Sequence, residues 1–186
     1  MVSLTSLWAP ILVSAVLVFV ASSISHEVVR FHRSDYAKLP GEDDVMDLIR
    51  RLAVSPGDYF FPLPASRTDP KDPGFREKWK RGPAGLVTVL PNGGHPMGRT
   101  LALWFLYCVA AGVFTAFIAG RGLAPGAGGR DVFLLAGAAA FGGHALALWP
   151  AAIWYGRSWT TTIKSTVDGF VYGLLAGGAF AWLWPR

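Results

Sequence analysis

The sequence predicts an all-α integral membrane protein of four transmembrane helices, with a small α+β insertion between the first and the second. Three observations predict it. Apolar side chains make up 52% of the chain and charged ones only 16%. Four apolar stretches reach the length of a membrane span, and the basic residues collect on one side of them. A hydrocarbon core of about 30 Å takes about 20 residues of helix. Lipid offers backbone amides no hydrogen-bond partner, so apolar stretches of that length are read as helices.

The first segment, residues 1–25, holds a span at 4–24 that carries no charge. Its Ala21-Ser22-Ser23 would suit a cleavage site, but a signal peptide wants a basic leader, and the first 25 residues contain no Lys or Arg. Arg30, Arg33 and Lys38 follow the apolar run instead, an order that predicts an anchoring helix with its N-terminus outside.

Residues 26–100 form the insertion, expected to cap the helix ends within one domain overall. Val45, Leu48, Ile49 and Leu52 follow the i, i+3, i+4, i+7 spacing of an amphipathic helix over 42–53. Glu42, Asp43 and Asp44 in its first turn and Arg50 and Arg51 in its last suit the helix dipole. Pro56-Gly57-Asp58 predicts a turn into a strand at Tyr59-Phe60-Phe61, with a second strand at Gly85–Leu90. Between them, 67–81 is rich in Pro, Lys and Asp and predicts a short helix with Phe75 and Trp79 on one face. Its basic face suits anionic headgroups or, equally, solvent.

The remaining region, 101–186, supplies spans at 101–120, 132–156 and 166–184. Pro150 removes a backbone donor from the third and predicts a bend there. Twelve Lys and Arg lie between His26 and Thr100, and Arg157 and Lys164 lie between the third and fourth spans. Arg121, Arg130 and Arg186 lie on the other side. This asymmetry predicts a cytoplasmic insertion, both termini outside and a bacterial cytoplasmic (inner) membrane. Trp8, Trp104, Trp154, Trp159, Trp182 and Trp184 fall near predicted helix ends, where indoles anchor at the interface.

Four groups of residues are candidates for chemistry or assembly. Small residues recur at every fourth position, as Gly169, Gly173 and Gly177 in the fourth span and Cys108, Gly112, Ala116 and Gly120 in the second. Such faces let helices approach closely, either within one bundle or against a partner. His144 is the ionisable group deepest in a span and reads either as a functional residue or as a hydrogen-bonded neutral imidazole. Asp168 falls in the first turn of the fourth span, four residues after Lys164. It reads as a paired helix-terminal acid or as a proton- or ion-handling carboxylate. His26, His32 and Asp35, with His95 as a further ligand, supply metal-binding side chains at the end of the first span. Positions 26 and 32 are six apart and share no helical face, so they converge only if the chain unwinds after Arg30.

A single cysteine excludes a disulfide redox site, and one deep histidine excludes a haem held by a pair of membrane histidines. The lone Cys108 also sets the chain apart from membrane thiol-quinone oxidoreductases, and no Gly-x-Ser-x-Gly supports rhomboid-type proteolysis. Four stretches, Phe31-His32-Arg33-Ser34-Asp35-Tyr36, Pro56-Gly57-Asp58-Tyr59, Trp104–Cys108 and Ile153–Trp159, resemble a family of small uncharacterised bacterial four-helix integral membrane proteins. The resemblance covers most of the chain and implies a fold and a location, but no activity, cofactor or site.

The sequence reading is therefore a membrane protein without a recognisable catalytic motif, expected to serve as an accessory or scaffold subunit of a larger membrane complex. One alternative is a small oligomeric transporter or channel that moves protons or ions through His144 and Asp168. A second is a metal-dependent enzyme at the membrane surface. Expected partners are the lipid bilayer and either another membrane protein or further copies of the chain; nucleic acid is not among them.

Overall fold

The computed structural model describes residues 1–64 and 73–186. It divides the chain into two compact units, Met1–Ala37 with Met97–Arg186, and Lys38–Pro96, where the sequence reading has one domain.

The larger unit is helical. A 3-10 turn at Leu4–Leu7 leads into α1 (Trp8–Ser23), which widens into a π-helical stretch at Ile24–Val29. Arg30 then takes a left-handed conformation with φ 55° and ends the helix. A side chain there crowds its own carbonyl, so the position is sparsely populated outside Gly, Asn and Asp. The helix therefore runs past the predicted end at residue 24, and the chain unwinds at Arg30.

Three further helical stretches follow: α4 (Met97–Gly122), then α5 (Gly129–Ala145), and finally α7 (Trp159–Trp182). Between α5 and α7 come a 3-10 turn at Leu146–Leu148 and the short α6 (Trp149–Tyr155). The change of helix type comes just before Pro150, which cannot donate to the carbonyl of Leu146. Ser158 caps α7 by accepting from the Thr161 amide.

Among the described residues, three helical stretches are long and apolar enough to cross a membrane: Leu4–Val29, Met97–Gly122 and Gly129–Tyr155. The fourth helix exists but differs from the expected 166–184. It starts seven residues earlier, and its first half carries Lys164, Asp168 and a run of hydroxyl residues that lower its hydropathy.

The small-residue faces pack within the chain. A Cβ added at Gly177 would lie 2.7 Å from the Phe133 carbonyl oxygen, and one at Gly173 would lie 2.9 Å from that of Gly137. Gly169 faces Ala145, so the whole row seats α7 on α5. On α4, Gly112 meets Ile11 and Ser14 of α1, and Gly120 meets the Val2 carbonyl and Leu7. Cys108 and Ala116 are buried on the same face. Each row lets two backbones approach to van der Waals distance, the close packing that holds helices together where hydrophobic burial is absent.

The core at the Leu7 end of the bundle is filled by Leu7, Ile11, Ala116, Ala119, Val132, Ala136, Phe180 and Trp184. Trp184 is buried and donates to the Ala124 carbonyl. It is a core residue rather than the expected interfacial anchor, whereas Trp8, Trp154, Trp159 and Trp182 are exposed.

In the smaller unit, α2 (Glu42–Arg51) stops two residues short of the expected 53, with Leu52 as its cap and Ala53 left-handed. Its stripe of Val45, Leu48 and Ile49 contains no buried residue. Strands β1 (Gly57–Phe61) and β2 (Gly85–Val89) pair antiparallel, with Tyr59 opposite Val87. The short helix α3 (Pro73–Arg81) joins them, and its Trp79 stacks on Phe60. The 67–72 part of the predicted basic helix lies outside the described residues.

Candidate functional site

The unwinding at Arg30 turns the chain back on the end of α1. Two short backbone bonds, Arg33 N–H to the Arg30 carbonyl (3.1 Å) and Asp35 N–H to the His32 carbonyl (3.0 Å), hold the turn. The His32 ring thereby stacks on His26 with 4.4 Å between centroids and 9° between planes, although the two share no helical face.

His32 sits between two carboxylates. Its Nδ1 lies 2.6 Å from Asp35 Oδ2 and its Nε2 lies 2.7 Å from Asp168 Oδ2. Burial alone would lower its pKa; the hydrogen bonds to Asp35 and Asp168, and their charges, outweigh that and raise it. Burial likewise pushes the Asp35 carboxyl upward, but the hydrogen bonds and charges of Lys164 and His32 bring it below its usual value.

Lys164 completes the network from α7. Its ammonium donates to the Phe31 carbonyl (2.9 Å), Ser34 Oγ (2.7 Å) and Asp35 Oδ1 (2.9 Å). The sequence reading pairs Lys164 with Asp168 in the first helical turn. Because α7 begins at Trp159, Asp168 lies in its third turn, and Lys164 reaches Asp35 instead. Asp168 accepts from Ser25 Oγ at its other oxygen (3.1 Å). Asp35 is thus a strut between His32 and Lys164, with both oxygens occupied, rather than an open metal ligand. Among the described residues, the side chains grouped closely enough to hold a metal are His26, His32 and Asp168. His95 belongs to the Lys38–Pro96 unit and is not among them.

The cluster forms one end of a cavity of about 770 Å³. Asp168, His26 and His32 line it together with Ser165, Thr161 and Arg157, whose guanidinium donates to the Tyr36 hydroxyl (3.0 Å). Leu101, Trp104, Tyr107, Leu148 and Tyr172 supply its apolar and aromatic wall, and Ser22, Ser23, Glu27, Asp35, Tyr36 and Thr100 complete the lining. Trp104 donates to Ser22 Oγ (2.7 Å) and stacks on Tyr107, so it is a wall of the cavity rather than the expected interfacial anchor.

His144 lines the same cavity. Its ring meets the edges or faces of Trp104, Tyr107 and Tyr172, and its buried Nδ1 has no hydrogen-bond partner among the described residues. The neutral, hydrogen-bonded imidazole expected from the sequence is therefore not what the structure shows at this nitrogen. Sequence reasoning did not select Ser25; it gave Lys164 only as a partner of Asp168, and Arg157 only as a donor in the Tyr155–Trp159 connection, suited to a phosphate or lipid headgroup.

Comparison with protein families, curated proteins and solved structures finds no match. The resemblance to bacterial membrane proteins thus rests on the quoted sequence stretches, and the site is read from its own chemistry.

Proposed function

We propose that the chain is a multi-pass protein of a bacterial cytoplasmic membrane, with α7 as a fourth span, that binds a small amphiphile in this cavity and acts on its polar end. The observation that carries the reading is the cavity itself: an apolar, aromatic chamber of about 770 Å³ ending in His26, His32 and Asp168. Small-molecule sites have this composition, mostly apolar walls with a few convergent polar groups. His144 also lines the cavity, its ring set among Trp104, Tyr107 and Tyr172.

Entry from the bilayer suits the wall. Leu101, Tyr107 and Leu148 are each more than a third exposed, so the chamber reaches the bundle surface where lipid would lie. The opposite end of the bundle is closed by the core around Leu7 and Phe180, which favours a dead-end site over a conduit through His144 and Asp168. The charge asymmetry of the sequence supports a cytoplasmic position for the cluster. The glycine rows are used between helices of the same chain.

The test is mass spectrometry of protein extracted from its native membrane in mild detergent, beside a Leu148→Trp variant that narrows the chamber. We expect a small amphiphile that stays with the wild type and is lost from the variant. Identical small-molecule content in both would refute the reading, and a stoichiometric protein partner with no bound amphiphile would return it to the accessory subunit.

A further inference from the structure

We infer that His26, His32 and Asp168 are the ligands of one divalent transition-metal ion, held with an open coordination position facing the cavity. One ligand atom from each residue lies within 4.8 Å of the other two. A tetrahedral site with bonds of about 2.0–2.2 Å needs separations of about 3.3–3.6 Å, so the 2.7 Å contact of His32 with Asp168 must open by about 0.6–0.9 Å while His26 closes on both. His26 is exposed in the π-helical stretch, and its ring must turn out of its stack on His32 to face the same ion. Such stretches recur at functional sites because they shift a side chain out of α-helical register.

Each of the three ligands has a hydrogen-bond partner behind it. A carbonyl oxygen only accepts, so the Ser22 carbonyl 3.0 Å from His26 Nδ1 places the proton on that nitrogen and leaves Nε2 as the ligand. Asp35 does the same for His32 at Nδ1, which leaves its Nε2 directed at Asp168. Ser25 orients the remaining oxygen of Asp168. Histidines that bind metal are almost always backed in this way by a carbonyl or carboxylate, which fixes the tautomer and the ring. The ion would replace the proton that now joins His32 Nε2 to Asp168 Oδ2. Lys164 holds the charge of Asp35, so Asp35 supports His32 without competing for the metal.

Two imidazoles, one carboxylate and an open position form the donor set of catalytic zinc and non-haem iron sites. The open position faces a chamber of about 770 Å³, room for the polar end of a substrate. The inference stands on the cluster geometry and does not depend on the amphiphile.

The test uses full-length protein in detergent, purified on a tag without histidine, stripped with chelator and titrated with Co²⁺ while visible absorption is followed, then with Zn²⁺ as competitor. One equivalent of Co²⁺ with tetrahedral or five-coordinate bands is expected, displaced by Zn²⁺. His26→Ala and Asp168→Asn should weaken binding by at least about 100-fold, and Asp35→Asn by about 10–100-fold through His32. His95→Ala and His144→Phe should bind as the wild type does. Absence of stoichiometric Co²⁺ and Zn²⁺ binding in the wild type would overturn the inference. So would unchanged affinity in His26→Ala, whose exposed side chain can be removed without disturbing the fold. Metal binding without a retained amphiphile would leave this inference standing and remove the proposed function; an amphiphile without metal would do the reverse.

Discussion

Asp35→Asn is the perturbation whose outcome follows most directly from the geometry. The Asp35 side chain is 4% exposed, and its oxygens lie 2.9 Å from Lys164 Nζ and 2.6 Å from His32 Nδ1. The amide keeps the volume but removes the charge, and it leaves the Lys164 ammonium and the His32 ring, whose side chains are 13% and 14% exposed, with one anionic contact fewer each. Stranding a buried charge costs about 3–5 kcal/mol. Here Asp168 still holds His32, and the Phe31 carbonyl and Ser34 still hold Lys164, which brings the expected loss to about 2–3 kcal/mol. For a chain of this length each kcal/mol moves Tm by about 2–4 °C, so a drop of about 4–12 °C is expected. The assay is thermal unfolding followed by tryptophan fluorescence in one detergent, for Asp35→Asn, Lys164→Met and the double variant. The double variant should lose less than the sum of the singles by about 1 kcal/mol or more, because it removes both members of the pair. A Tm for Asp35→Asn within 1 °C of wild type, or strict additivity in the double, would refute the strut.

Neighbouring glycines of α7 should behave in opposite ways: Gly177→Ala, with a carbonyl oxygen 2.7 Å from the new Cβ, should cost about 1–3 kcal/mol, while Gly178→Ala, with nothing within 4 Å, should be neutral or stabilise by up to about 1 kcal/mol. Equal Tm values for the two would argue against the close approach of α5 and α7. In chelator-treated protein the pH dependence has two limbs. The raised pKa of His32 gives stability that is complete below its unfolded value of 6.5 and lost as pH rises through the folded value; the lowered pKa of Asp35 gives stability present above 3.8 and lost as pH falls through its folded value. The highest Tm is therefore expected between pH 3.8 and 6.5, and a Tm that climbs steadily to pH 8 would count against the network. His144→Phe removes a buried nitrogen without a partner, so it should leave Tm unchanged or higher while weakening amphiphile retention; a loss above about 2 kcal/mol would mean that the nitrogen is bonded in the folded state. For topology, with Cys108 replaced by Ala, a cysteine at Gly93 should react with an impermeant maleimide only in inverted vesicles and one at Gly126 only in intact cells; the reverse pattern would invert the proposed orientation.

The apolar runs show the helices, and the short Tyr59-Phe60-Phe61 and Gly85–Leu90 segments show the two strands, because periodicity and hydropathy are properties of neighbouring residues. The ligand-type residues His26, His32, Asp35 and Asp168 are equally visible as a list. Their roles are not, since His32 meets Asp168 across 136 positions of sequence and no local pattern records that contact. Two tertiary facts decide it. The left-handed Arg30 folds the 31–36 segment back over the end of α1, and the glycine rows set the register of α7 so that Lys164 and Asp168 arrive beside that turn. The same facts explain why the fourth helix is less apolar than the other three: the Lys164 and Asp168 of its first half serve the His32 network. The sequence alone thus determined which segments are helical and which residues can do chemistry. Which of those residues meet was decided by the one turn and the one helix register that bring them together.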